Sequence, residues 1–175
     1  TDSTGMTVGQ LFPGTYSFEM QYEGTSDRKF LVMIPAAGDT ITWNTVSVNL
    51  TSSSSISYGG PGGVSKPFNQ PSMELLPGTY KFKFNSNGEV KDLTLSGCNF
   101  TKSEVIVDVL DCDGNNQDSV DIKWYKYGDA GNKVNAGFTG NSTMSLLIDS
   151  GTTKIGVVAD YLGQTNTLIQ TLSVN

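Results

Sequence analysis

The stretch "LFPGTYSFEMQY" at residues 11–22 returns as "LLPGTYKFKFNS" at 75–86, and a worn form, "LIDSGTTKIGVVADY", spans 147–161. A turn and strand used three times constrain the fold strongly, because each copy has to bury the same kind of face. After the first PGTY, Tyr16, Phe18, Met20 and Tyr22 alternate with Ser17, Glu19, Gln21 and Glu23. A period of two puts the apolar groups on one face of a strand. Tyr80, Phe82 and Phe84 repeat the pattern in the second copy, and Ile155, Val157, Ala159 and Tyr161 in the third. Pro presets φ for one turn position and Gly permits a positive φ at the next, so PG after a Leu-rich run predicts a tight turn between strands. Each copy is followed by a second turn, "YEGTSD", "NSNGEV" or "YLGQTN".

Further strands are expected upstream of the motif. Val46, Val48 and Leu50 form one, Val105, Val107 and Val109 its counterpart, and Val120, Ile122 and Trp124 follow the turn in "LDCDGNN". No window carries a convincing helical period, so the chain reads as all-β. Composition agrees: 20 Gly and only 16% charged residues, with Ser, Thr and Asn gathered between short β-branched and aromatic runs. Pro13 and Pro77 lie 64 residues apart, and Gly78 and Gly151 lie 73 apart. Such a period suits small β-sandwiches. The phase predicts a partial repeat, the back half of a sandwich, at 1–45, one repeat at 46–103 and another at 104–175. A half sandwich leaves strand edges and an apolar face open. Completion of 1–45 by a neighbouring molecule or by a longer array is therefore expected.

A short strand, a D-x-x-G turn, a second strand and then L-P-G-T-Y-x-F before a Gly-containing hairpin resemble the transthyretin-like, or collagen-adhesin B-type, Ig-like repeats of bacterial extracellular surface proteins. The motifs "LLPGTYKFKF" at 75–84 and "VLDCDGNN" at 109–116 carry the resemblance, while "IDSGTTKIGV" at 148–157 lacks the Pro and Tyr. It implies tandem Ig-like β-sandwiches serving as stalks, spacers or surface-layer units, extracellular or at the cell surface. Some such repeats cross-link a first-strand Lys to a last-strand Asn or Asp. The first strands here, "TVSVNL" and "VIVDVL", contain no Lys.

Several function classes are disfavoured. There is no histidine in the chain, and so no side chain of the kind that most often performs general acid–base work or binds zinc. No carboxylate pair can be placed across a cleft from pattern alone, and the chain does not read as an enzyme. A net charge of −6 with 11 scattered basic residues leaves no phosphate-binding patch, which argues against nucleic acid. No apolar run approaches the length of a membrane span. The Gly-rich "SYGGPGGVSKPF" at 57–68 lacks the Lys-Ser/Thr of a phosphate loop and reads as a flexible surface loop.

The candidate sites are few. Asp111, Asp113, Asn115 and Asp118 offer alternating oxygens around a Gly, as a calcium loop does, but without the closing Glu. Asx turns explain the same residues with no cofactor at all. Cys98 and Cys112 admit one disulfide, joining adjacent repeats or chains, or stay as two free thiols. Tyr125 and Tyr127 fall opposite the core-facing Trp124, where paired exposed aromatics could stack on a polysaccharide. Asn49, Asn99 and Asn141 begin N-x-S/T sequons. The expectation is a structural or adhesive repeat protein that self-assembles through strand edges or incomplete repeats. A carbohydrate-binding accessory module is the alternative.

Overall fold

The structure, a computed structural model, describes residues 7–22, 24–69, 71–139 and 143–172. The expected all-β class holds: these residues form strands and turns and contain no helix, hence none able to cross a membrane. In chain order the strands are β1 (Gly14–Tyr22), β2 (Thr25–Ile34), β3 (Val46–Thr51), β4 (Ile56–Gly59), β5 (Lys66–Pro67), β6 (Ser72–Leu75) and β7 (Gly78–Phe84). They continue as β8 (Val90–Leu95), β9 (Asn99–Asp108), β10 (Asp121–Lys126), β11 (Val134–Phe138), β12 (Thr143–Asp149), β13 (Lys154–Tyr161) and β14 (Gln164–Thr171). A two-stranded sheet, β1-β2, precedes three four-stranded sheets ordered β5-β4-β7-β8, β12-β9-β3-β6 and β11-β10-β13-β14.

Alternation decides what each sheet buries. Val46, Val48 and Leu50 of β3 and Leu75 of β6 face Ile56, Tyr58, Tyr80, Phe82, Phe84 and Leu95 across the first core. Phe82 lies stacked against Tyr58, centroids 6.1 Å apart, and meets Phe68 edge-on at 5.8 Å. Such aromatic pairs add about 0.5–1.5 kcal/mol each to the area they bury. The second core gathers Val120, Ile122, Trp124, Met144, Leu146, Ile148, Ile155 and Val157, with Val105 and Val107 packed against it.

Strand β9 belongs to both cores. Its first half pairs in parallel with β3, from Ser47↔Asn99 to Thr51↔Ser103, and its second half pairs antiparallel with β12. Phe100 packs on the first core, whereas Val105 and Val107 pack on the second. Even and odd residues of one strand point to opposite faces, so the middle sheet covers one core with its β3/β6 half and the other core with the reverse face of its β9/β12 half. Leu147, on the reverse side of β12 from Leu146, accordingly touches the first core. The division expected between 103 and 104 falls inside this continuous strand.

The "SYGGPGGVSKPF" segment is not a free loop. It folds as the β4–β5 hairpin, held by Gly63 N–H to the Gly60 carbonyl (3.1 Å) and Ser65 N–H to the Tyr58 carbonyl (3.1 Å), and it delivers Phe68 to the core. A Cβ on Gly59 would lie 1.9 Å from the Gly63 carbonyl oxygen, so Gly59 serves close backbone approach.

Candidate functional site

The Asp111 loop is organised by its own hydrogen bonds. The Asp111 carboxylate accepts from the backbone N–H of Asp113 (2.9 Å) and Asn115 (2.8 Å), from Asn115 Nδ2 (3.1 Å) and from Gln117 Nε2 (3.2 Å). The Asn115 backbone first, then its side chain and the backbone N–H groups of Asp113 and Gly114, hold the Asp111 carboxyl below the ordinary 3.8. Asp113, Asn115 and Asp118 are exposed around it. Among the described residues no three His, Cys, Asp or Glu side chains converge so as to hold an ion. The arrangement is that of an Asx turn, whose carboxylate satisfies backbone donors at a tight bend.

Tyr125 lies on the strand face opposite Trp124, as the alternation predicts, but it is not exposed there. It is buried because its register partner on β13 is Gly156, and the ring fills the space that a side chain would take. A Cβ on Gly156 would stand 2.2 Å from the ring. Tyr127 is exposed, but the Lys154 ammonium sits 3.9 Å above its ring centroid. A stacking ligand would have to displace that cation. The two tyrosines thus form no common platform.

Cys98 and Cys112 are separate, exposed thiols. The ten residues of β9 run between them, and at about 3.3 Å per residue the strand holds them roughly 30 Å apart. A disulfide requires Cα atoms closer than about 7 Å, so a bridge between these two within one chain is geometrically closed. Of the sequon asparagines, Asn49 is half-buried inside β3, Asn99 is exposed at the start of β9, and Asn141 lies outside the described residues.

Two features remain, of which the first escaped the sequence and the second was expected from it. One is a polar joint between the two cores. Glu104 of β9 accepts from the hydroxyls of Ser52, Ser86 (2.7 Å) and Ser145 (2.5 Å). Ser145, fully buried, also donates its N–H to Glu89 (2.9 Å) and accepts from Asn87 Nδ2 (3.0 Å). Nearby, hydrogen bonds from Lys102 and Lys126 depress the Asp149 carboxyl below its usual value. An alternation in which Ser145 and Glu104 occupy the faces away from the second core was readable, but which partner those faces would meet was not.

The other feature is an uncovered copy of a covered face. Tyr80, Phe82 and Phe84 of β7 are wholly buried, yet Tyr16, Phe18 and Met20 of β1 are only half so. Leu75 and Leu76 are buried before the second PGTY, while Leu11 and Phe12 before the first are 50% and 86% exposed. No family model matches the chain, and no curated protein is similar to it. Its own second copy therefore serves as the comparison: there β3 and β6 supply the half of the core that faces β7.

The β1–β2 hairpin carries a further apolar surface. Between Tyr16↔Val32 and Phe18↔Lys29 an extra residue bulges out of β2, with Leu31 at φ 54°. A left-handed conformation costs a non-Gly residue about 1–2 kcal/mol, and bulges re-aim side chains. Phe30, Leu31 and Met33 are all exposed. In the second copy the β7–β8 register runs without a shift and places Asp92 and Thr94 at the corresponding positions.

Proposed function

We propose that this chain is a structural or adhesive extracellular protein, part of a filament, stalk or surface layer, which assembles with further copies or neighbouring repeats through its incomplete first repeat and strand edges. The observation that carries this reading is the exposure of Leu11 and Phe12 and the incomplete burial of Tyr16, Phe18 and Met20, where the same motif is sealed in the second copy. Exposed apolar surface of this kind marks contact sites. The repeated turn and the resemblance to collagen-adhesin B-type repeats support the Ig-like tandem character and the location outside the cell. The β14 edge adds a second contact: its eight residues are exposed throughout and contain neither charge nor Pro, which leaves the strand open to pairing.

Light scattering with electron microscopy tests the proposal. The full chain is expected to form concentration-dependent regular polymers, and the double substitution Phe12→Asp, Met33→Asp to shift them to monomers while far-UV circular dichroism is unchanged. A chain that stays monomeric at all concentrations overturns the reading.

A further inference from the structure

We infer that β3 and β9 form a tension-bearing clamp, so that the first sandwich resists pulling along the chain far better than its size requires. The inference concerns how the proposed structural role is met under force and rests on that role for its use, though not for its geometry. Force applied along the chain enters this sandwich at Val46, the start of β3, and leaves through the far half of β9. The two strands are immediate neighbours and parallel, joined by five register pairs from Ser47↔Asn99 to Thr51↔Ser103 and extended by the Ser47 N–H bond to the Cys98 carbonyl (2.9 Å). Opposite pulls at the start of one parallel strand and the end of the other slide them along their axes. Every inter-strand hydrogen bond is then strained at once. Pulling the same two strands at their adjacent ends would break the bonds singly.

Side chains reinforce the sliding contact. Val48 and Phe100 are partners in register, and both pack on the first core, as does Leu50, whose partner is Lys102. Lys102 is in turn paired with Asp149 on β12, and the Glu104 cluster ties the same strand to Ser52 and Ser86 of the first sandwich and to Ser145 of the second. Because β9 passes unbroken from one core to the other, there is no flexible linker at which the pull could be relieved.

The two exposed thiols allow both geometries to be tested on the full chain. With Cys98→Ser, a handle on the N-terminus and one on Cys112 load β3 against the far end of β9 in shear. With Cys112→Ser, handles on the N-terminus and Cys98 peel the two strands from adjacent ends. Unfolding releases about 200 Å of chain from residues 46–103 in shear and about 180 Å from residues 46–98 in peeling, at roughly 3.4 Å per residue, so after subtraction of the folded span, which is larger in shear, a step of about 170–180 Å identifies this sandwich in either trace. Earlier release of β1–β2 gives a smaller, separate step. Single-molecule pulling is expected to show a rupture force at least about twofold higher in shear than in peeling, since a parallel ladder of evenly spaced bonds shares the load. Equal forces, or a shear trace without that step, overturn the clamp. Either result leaves the assembly proposal to be decided by the solution size of the polymers.

Discussion

Gly78 offers a sharp test of how the first hairpin is seated. Its φ of 147° is one that side chains rarely adopt, and a Cβ there would stand 2.2 Å from Thr25 Cγ2 at the start of β2. Thr25 is buried and β-branched, with little rotamer freedom to turn away. Gly78→Ala therefore combines backbone strain of about 1–2 kcal/mol with overpacking of about 1–3 kcal/mol. Thr25→Ser removes the clashing methyl and by itself costs about 0.8 kcal/mol of burial. In the Thr25→Ser background only the strain remains, so Gly78→Ala should become cheaper by about 1–3 kcal/mol. Urea unfolding of the four proteins of the cycle, followed by circular dichroism and tryptophan fluorescence, gives the coupling directly. Additive costs within about 0.5 kcal/mol would show that Thr25 does not press on Gly78 and that the hairpin is held by other contacts, such as the Tyr22–Tyr58 hydroxyl bond of 3.0 Å.

Two further outcomes are expected. Gly156→Ala should displace the Tyr125 ring and destabilise the second sandwich by about 1–3 kcal/mol, with Tyr125 becoming accessible to nitration; an unreactive Tyr125 in a stable variant would contradict the packing. Asp149 has its carboxyl lowered by Lys102 and then Lys126, so the folded state holds the charged form more firmly than the unfolded chain does. Its contribution is complete above the unfolded value near 3.9 and is lost as pH falls through the lower native value. With Asp149 nearly half exposed, Asp149→Asn should cost about 1 kcal/mol or less at pH 7. The difference from the parent should vanish in acid, and a gap that widens on acidification would refute the assignment.

The class of the fold was legible because alternation is a local property. Tyr80, Phe82 and Phe84 declare their buried face from sequence alone, as do Val46, Val48 and Leu50, and a period of two with turn residues at each end admits strands and little else. The repeat also exposed a comparison internal to the chain, which is how the open face of the first hairpin acquires meaning. Tyr125 shows where that reading stops. Its outward position followed from Trp124 facing in, but its burial came from a glycine 31 residues later on an adjacent strand.

The amino-acid order by itself determined which residues must leave water and where the chain must turn, since both depend on neighbours one to four positions away. Tertiary structure alone decided the order of strands, the parallel pairing of β3 with β9, the use of β9 by two cores and the separation of Cys98 from Cys112. Those choices depend on which distant strand reaches each edge first and fits it best. Backbone N–H and C=O groups are the same in every strand, so no pattern along one strand names its partner.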